Sequence, residues 1–329
     1  MPGRTSFVLA VAAAAACLTS CAGGGAPAPS PAAPAAPPAA QAQAPPRPAS
    51  GAEDAGLAAR LKEICARAGG ECGVAVTHVE TGRGAAFEGG RRQPLYSVFK
   101  LPLAVAVLKD VEEGRLRLDQ KVRVEPEEAA PGTKANSDLW LKPSDRTILE
   151  LLEFSIARSD NTSSDKMLEL VGGPAAVTAR MRALGLQNIE VRSNVREFLK
   201  SKDAHPNTGT ADDLARLLAL LQKGEVLRPP QLEVLLGLMG RAETGRRRLR
   251  AGVPPGTPVG DKTGSGPSTT NDVGLITLPG EGGHLAVAAL VNGSKLSAEE
   301  QEDVIAELAR AAYDAHAARA AGGRAEGAR

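Results

Sequence analysis

The sequence has little of several features from which function is commonly inferred. Its four histidines do not show the short spacings of a metal site; they are His78, His205, His284 and His316. Neither a Gly-x-Ser-x-Gly nucleophile elbow nor a Walker phosphate loop occurs in the chain. These absences argue against a metal enzyme, an α/β-hydrolase and a nucleotide-binding domain, and we expect no cofactor.

Charge and hydropathy narrow the choice of partner. With 39 basic and 38 acidic side chains the formal net charge is +1, so nothing indicates a nucleic-acid partner. After residue 21 no apolar run is long enough to span a bilayer. Aromatic residues make up only 2% of the chain, whereas alanine, glycine, proline and arginine are abundant. That bias is typical of a GC-rich genome rather than of a structural requirement.

The N-terminus has the composition of an export signal. Arg4 supplies a small positive region, and the apolar segment 7–18 is too short to span a bilayer comfortably. The letters LTSC, ending at Cys21, resemble a bacterial lipobox. We therefore expect residues 1–21 to be a lipoprotein signal with Cys21 lipidated. An ordinary signal peptide with a chance cysteine is the alternative.

The remainder is predicted to have an α+β fold behind a linker. Residues 22–55, rich in alanine and proline, cannot bury a core and should form a disordered tether. The periodicity then predicts one helix, two strands, many helices, three strands and a last helix. Because consecutive strands are joined by short turns, we expect an antiparallel sheet flanked by the terminal helices. Residues 56–95 and 251–318 form this α/β part, and residues 96–250 form an all-α insertion with its own core. A pocket is expected at the seam.

Some local predictions bear on this architecture. A single helix is expected from Ser97 to about Glu113, and a last helix is expected to end near Ala318. Strands are expected over 258–263, 273–278 and 284–292. For Cys65 and Cys72, a disulfide and two buried thiols are both open interpretations.

Three short motifs carry the chemistry. Ser97 precedes Lys100 by three residues, so a helix places both side chains on one face, where an amine could take the hydroxyl proton. Alone, this pattern favours a capping serine and a solvated lysine, because serine is common at helix caps. The other motifs are Ser159-Asp160-Asn161 and Lys262-Thr263-Gly264.

The order of these motifs indicates a family. S-x-x-K, S-D-N and K-T-G together are the motif set of class A β-lactamases and penicillin-binding proteins. A second S-x-x-K match, Ser163 to Lys166, follows S-D-N instead of preceding it. Over roughly residues 57–318 the chain resembles a class A β-lactamase. The resemblance implies the same two-part architecture, a β-lactam substrate and an acyl-enzyme intermediate.

The resemblance also assigns catalytic roles. Ser97 would be the nucleophile, and Lys100 would accept or relay its proton. Ser159 would pass a proton to the departing lactam nitrogen. Backbone N–H groups of Ser97 and Ser265 would form the oxyanion hole.

A second set of residues would bind the substrate. Asn161 would hold the side-chain amide of the substrate. Lys262 would supply positive charge, and Thr263 and Ser265 would hydrogen-bond the substrate carboxylate. The family often adds an arginine beside this strand. Counting through the upstream basic run points to Arg248, for which a solvated surface arginine is the alternative.

One family residue has no counterpart in frame. Class A enzymes carry a glutamate that activates the water for deacylation, and counting from either side places it at Val195 or Asn194. Glu197 could serve if the loop is shortened; a surface glutamate is the alternative. The sequence therefore supports acylation and predicts burst kinetics, in which the acyl-enzyme forms rapidly and is released slowly.

These observations predict a monomeric serine β-lactamase of class A type, lipid-anchored to the cell-envelope membrane in the periplasm. Its expected partners are a small-molecule β-lactam and, through the anchor, the membrane. Two alternatives stand beside this interpretation. One is a related serine hydrolase or penicillin-binding enzyme that acts on peptidoglycan peptides. The other is a binding lipoprotein that has lost turnover.

Lipidation of Cys21 can be measured directly. Metabolic labelling with an alkyne fatty acid should label the full-length protein and leave Cys21→Ala unlabelled. Cys17→Ala, within the same predicted signal, is the matched control and should keep the label. Label that persists in Cys21→Ala would place the anchor elsewhere.

Overall fold

The computed structural model describes residues 54–131, 138–200 and 206–326, with side chains as far as residue 317. The predicted signal, Cys21 and nearly all of the tether lie outside the described residues. The predicted tether is slightly too long, because Asp54 begins the first helix: its Oδ1 accepts the N–H of Leu57 at 3.1 Å. Among the described helices, none has the length and apolar character needed to cross a membrane.

Helices and short strands occupy the middle of the chain, and the long strands lie near its ends. The helices are α1 Ala55–Cys65, α2 Lys100–Glu112, α3 Ile148–Ala157, α4 Asn161–Leu170, α5 Pro174–Ala183, α6 Val195–Lys200, α7 Ala211–Gln222, α8 Pro229–Gly240 and α9 Ala298–Glu326. The strands are β1 Glu71–His78, β2 Gly84–Phe87, β3 Gln93–Pro94, β4 Lys121–Val124, β5 Ser144–Thr147, β6 Thr208–Gly209, β7 Val259–Gly266, β8 Thr269–Thr277 and β9 His284–Asn292.

The main sheet is antiparallel throughout, as predicted. Its strands lie in the order β2–β1–β9–β8–β7, so the first and last long segments of the fold pair with each other. Short antiparallel pairs, β3 with β6 and β4 with β5, lie outside this sheet. The strand β7 is therefore an edge strand, with one side of its backbone available to other parts of the chain.

Both faces of the sheet are buried, which corrects one expectation. Val74 and Val287 face α1 and α9, and their neighbours Ala75 and Ala288 point to the opposite side, because side chains alternate along a strand. That opposite face shares one apolar core with the central helices. The helical insertion thus does not form a core of its own. It closes a sheet whose central strands are apolar on both faces.

The predicted helix from Ser97 to Glu113 is in fact two elements. A 3₁₀ turn, Tyr96–Phe99, precedes α2. Pro102 has no N–H to give to the carbonyl of Val98, so an α-helix cannot start at Ser97 with its full set of bonds. The N–H of Lys100 instead bonds to the carbonyls of Ser97 and Val98. Behind this turn, α2 is buried on all sides and forms the centre of the helical core.

Two further boundaries differ from the sequence prediction. β7 and β8 are longer than expected, because polar and glycine residues near their junction also form strand hydrogen bonds. The two strands are joined by a tight turn at Pro267 and Ser268. α9 begins after the capping serine Ser297, as predicted, but continues to Glu326, past the expected end near Ala318. Of the two open interpretations for Cys65 and Cys72, the structure has the disulfide, which joins the end of α1 to the start of β1.

Candidate active site

The turn that carries Ser97 lies directly against β7. A side chain on Gly264 would clash with the carbonyl oxygen of Leu95, and one on Gly266 would clash with the ring of Tyr96. Tyr96 itself has a φ of 47°, an uncommon value for a residue with a side chain. The two glycines let the edge strand approach the turn closely, and this sets the position of Ser97 beside the strand.

Lys100 is completely buried one turn beyond Ser97. Its Nζ donates to the carbonyl of Ser159 at 2.5 Å and to Oδ1 of Asn161 at 2.8 Å, and lies 3.4 Å from Oγ of Ser159. Burial, followed by the nearby charge of Lys262, holds the pKa of the Lys100 amine well below its usual range. A neutral amine at this position can accept a proton at physiological pH.

The turn between α3 and α4 presents Ser159 and Asn161 to this amine. Ser159 has a φ of 58°, and Asp160 caps α4, with Oδ1 accepting the N–H of Ser163 at 2.7 Å. The other oxygen of Asp160 accepts the indole N–H of Trp140 at 3.2 Å. Asp160 therefore holds the turn. Nδ2 of Asn161 donates to the carbonyl of Pro131 at 2.6 Å, so a substrate amide would have to share or replace that contact.

Lys262, on β7, approaches Ser159 from the opposite side. Its Nζ donates to Oγ of Ser159 at 3.0 Å and to the carbonyl of Thr263 at 2.9 Å. Burial is the main cause that lowers the pKa of Lys262 to about 7. The hydroxyl of Ser159 thus lies between two buried amines, Lys100 and Lys262. This arrangement can carry a proton from one side of the site to the other.

The outer part of β7 lies beside the guanidinium of Arg248, a group that can attract an anion. Nη2 of Arg248 donates to Oγ of Ser265 at 2.7 Å, and Nη1 donates to the carbonyl of Asn271 at 2.9 Å. The side chain of Arg248 is only 9% exposed, and Nε pairs with Glu302 at 3.1 Å. Of the two readings of Arg248, the structure therefore excludes a solvated surface arginine and places the guanidinium beside the K-T-G strand.

Two residues of this region were missed by the sequence reasoning. The hydroxyl of Thr244 lies 2.7 Å from that of Thr263, at the inner end of the same strand. Arg250 donates to the buried Asp261 at 2.7 Å from Nε. Asp261 lies on β7, and Asp272 is its neighbour on β8. Burial and the charge of Asp261 hold the pKa of the Asp272 carboxyl well above its usual range. No motif marks these contacts, since each joins segments that are distant in sequence.

The segment that should hold the missing glutamate is anchored by another buried acid. Oδ1 and Oδ2 of Asp165 accept the N–H groups of Val195 and Arg196 at 2.7 and 2.9 Å. Burial raises the pKa of the Asp165 carboxyl. The only sequence signal for Asp165 was its position on α4, one helical turn after Asn161.

Glu197, on α6, is exposed. Its N–H bonds to Oδ1 of Asn194 at 2.7 Å, and its carboxylate lies 3.4 Å from the N–H of Asn194. The charges that act on Lys100 are those of Lys262, Asp160 and Asp165, and Glu197 is not among them. Neither Asn194 nor Val195 supplies an acid in its place.

Over the described ranges, no group of three or more His, Cys, Asp or Glu side chains could hold a metal ion. The site itself is built from the hydroxyls, amines and backbone amides described above. Together they provide a nucleophile, a neutral base, a hydroxyl bridge and an anion-binding rim, which is the set needed for acyl transfer.

Comparison with known proteins finds similarity to β-lactamases by family and by individual relatives. The family described as "Beta-lactamase enzyme family" matches residues 56–316. The extended-spectrum beta-lactamase PER-1 of Pseudomonas aeruginosa is 34% identical over 233 residues, covering 67% of this chain and 74% of that protein. A beta-lactamase of Streptomyces albus G is 31% identical over 268 residues, covering 76% and 82%.

Solved structures agree with these sequence relatives. A beta-lactamase from Chitinophaga pinensis superimposes with a TM-score of 0.75 at 32% identity, covering 79% of this chain and 99% of that one. An ancestral class A beta-lactamase gives a TM-score of 0.71 at 36% identity, with coverage of 79% and 99%. The match includes every segment that contributes to the site.

The lowered pKa of the Lys262 amine predicts a pH-dependent stability. Between about pH 7, its pKa in the fold, and about pH 10.4, the value in an unfolded chain, the unfolded chain binds a proton that the folded protein lacks. Relative to Lys262→Met, the wild-type free energy of unfolding should therefore rise with pH across this window. Denaturant unfolding at several pH values measures the difference. Lys223→Met, at an exposed lysine, is the control, and a pH-independent difference for Lys262→Met would contradict the assignment.

Proposed function

The chain belongs to the β-lactamase enzyme family, and from this premise we propose that it is a class A serine β-lactamase that forms its acyl-enzyme on Ser97. One observation carries the proposal. The hydroxyl of Ser159 lies 3.0 Å from the amine of Lys262 and 3.4 Å from that of Lys100, and Ser97 precedes Lys100 by one turn. These contacts support a base and a proton path to a leaving group, one turn from the candidate nucleophile.

Acylation would use these groups in sequence. The Ser97 hydroxyl attacks the lactam carbonyl while the neutral amine of Lys100 accepts its proton. The backbone N–H groups of Ser97 and Ser265 stabilise the developing oxyanion; removing one such donor typically costs about 3–4 kcal/mol. The proton passes through Oγ of Ser159 to the lactam nitrogen as the C–N bond breaks. Lys262 keeps positive charge beside that hydroxyl.

Substrate orientation would come from the rim of β7. A β-lactam carries a carboxylate, and the hydroxyls of Thr263 and Ser265 face the same opening as the guanidinium of Arg248. The contacts of Arg248 with Glu302 and with two backbone carbonyls hold its side chain in place before substrate arrives. Such preorganisation lowers the entropy cost of binding. Asn161 would contribute a contact to the side-chain amide of the substrate.

Export and anchoring complete the proposal. We place the enzyme in the periplasm, held to the cell-envelope membrane through a lipid on Cys21. Support for this comes from the apolar segment 7–18, the LTSC letters and the alanine- and proline-rich tether that follows. The labelling of Cys21→Ala described above tests it.

The acyl-enzyme is the direct test of function. Intact-mass measurement after mixing with a fluorescent penicillin should show one added acyl group on the wild type and none on Ser97→Ala. Rapid quenching is needed, because turnover removes the group. If no acyl group and no hydrolysis of a chromogenic cephalosporin can be detected for the wild type, the proposed function is wrong. Cleavage of peptidoglycan peptides instead would favour the alternative enzyme.

Arg248 gives a second test, with its neighbour as the matched control. A charge-assisted contact to a carboxylate contributes about 1.5–3 kcal/mol, so Arg248→Ala should lower kcat/KM by about one to two orders of magnitude. Arg247 is 51% exposed and pairs with Asp303 on the surface, and Arg247→Ala should have little effect. Equal losses in the two variants would show that Arg248 does not bind the substrate.

A further inference from the structure

Hydrolysis requires a second proton acceptor after acylation. The water that attacks the acyl-enzyme must lose a proton, and a positioned base typically accelerates this step by about 10²–10⁴-fold. In this chain the in-frame positions, Asn194 and Val195, carry no acid. The question of which group serves rests on the proposed function, since it arises only if Ser97 is acylated.

The carboxylates near the site are already committed to holding the backbone. Oδ1 of Asp160 accepts both the N–H and the hydroxyl of Ser163, at 2.7 and 2.6 Å, and Oδ2 accepts the indole of Trp140. Asp165 uses both oxygens for the N–H groups of Val195 and Arg196. Taking a proton from a water would weaken the contacts by which these carboxylates hold the turn and the segment.

Glu197 does not replace them. Its side chain is exposed and lies over the N-terminus of α6, next to the N–H of Asn194. It exerts no resolved effect on Lys100, whose charged neighbours are Lys262 on β7 and Asp160 and Asp165 on α4. An exposed carboxylate that is not among these neighbours is a poor candidate for a base at the buried centre.

Lys100 is a buried amine three residues after Ser97, on the same face of the turn. A neutral amine has two N–H bonds and one lone pair. The N–H bonds are taken by the carbonyl of Ser159 at 2.5 Å and by Oδ1 of Asn161 at 2.8 Å. The third neighbour, Oγ of Ser159, lies at the longer distance of 3.4 Å, so the lone pair can accept a proton from that hydroxyl or from a group that displaces it. Burial, followed by the charge of Lys262, lowers the pKa of this amine.

We propose that Lys100 is the general base of deacylation as well as of acylation, so that this enzyme needs no acid on the segment 194–197. During acylation the proton taken from Ser97 leaves through Ser159 to the lactam nitrogen, which returns Lys100 to its neutral form. A water proton then goes to the same amine while the water oxygen bonds to the ester carbonyl carbon. The carbon–oxygen bond to Ser97 breaks, and Lys100 returns the proton to Oγ of Ser97. One water is consumed for each lactam opened, with no other reactant.

The pH dependence of deacylation identifies the base. Rates of loss of the acyl group, from rapid-quench intact mass, are compared for the wild type, Glu197→Gln and Asp165→Asn. With Lys100 as base, the rate rises with pH in all three proteins, because the amine must be neutral. The negative charge of Asp165 raises the pKa of Lys100, so Asp165→Asn should move this rise to lower pH without abolishing it. Glu197→Gln should leave both the rate and the rise unchanged.

Other outcomes overturn the inference. If the rise with pH disappears in Asp165→Asn or in Glu197→Gln, the replaced carboxylate is the base. If wild-type Ser97 stays acylated, as the sequence alone predicts, no competent base exists and the inference fails while acylation stands. A wild type that is never acylated would instead remove the proposed function itself, so the two failures are distinguishable.

Lys100→Arg provides an independent measurement. Arginine keeps a donor for the Ser159 carbonyl and for Asn161, but its guanidinium stays protonated and cannot act as a base. Acyl-enzyme prepared by long incubation should lose its acyl group about 10²–10⁴-fold more slowly than the wild type. Hydroxylamine, a nucleophile that needs no such base, should release both acyl-enzymes at comparable rates, which a distorted site would not allow. Hydrolysis of the Lys100→Arg acyl-enzyme at the wild-type rate would overturn the inference.

Discussion

The site depends on two completely buried amines that share one hydroxyl. Placing two ammonium groups without water beside each other would be prohibitively costly, so the fold has to keep at least one of them neutral. Lys100 takes that state, since burial and the charge of Lys262 both lower its pKa. Ser159 lies between the two and can exchange protons with either. Catalytic competence is therefore a consequence of desolvation rather than of any one residue.

This desolvation is produced where three separate parts of the chain meet. The turn before α2 carries Ser97 and Lys100, the α3–α4 turn carries Ser159, and the edge strand β7 carries Lys262. Apolar α2 closes the site from behind, and the shared core of sheet and helices keeps these parts in register. Glycines of β7 allow the strand to touch the Ser97 turn, and a side chain at these positions would force the strand and the turn apart.

Buried carboxylates support the site from outside its reactive centre. Asp160 holds the α3–α4 turn, Asp165 holds the segment at Val195, and Asp261 with Arg250 holds the base of β7. Each is paired or hydrogen-bonded, as buried charges must be. The relatives share this fold over most of their length. In the present chain the segment 194–197 offers no buried acid, so under the proposed deacylation the second step relies on groups already present for the first.

The sequence by itself determined the candidate reactive residues and the α+β, antiparallel organisation. Ser97 with Lys100, Ser159 with Asn161, and Lys262 with Thr263 are each local motifs, and the periodicity indicated the order of helices and strands. Tertiary structure decided the rest. It placed Arg248 against Ser265, joined Asp165 to the backbone at Val195, packed the core of the central helices onto one face of the sheet, and left Glu197 in solvent. Each of these depends on contacts between distant segments, and the energy of such a contact is set by burial and approach in space, which no local pattern of residues specifies.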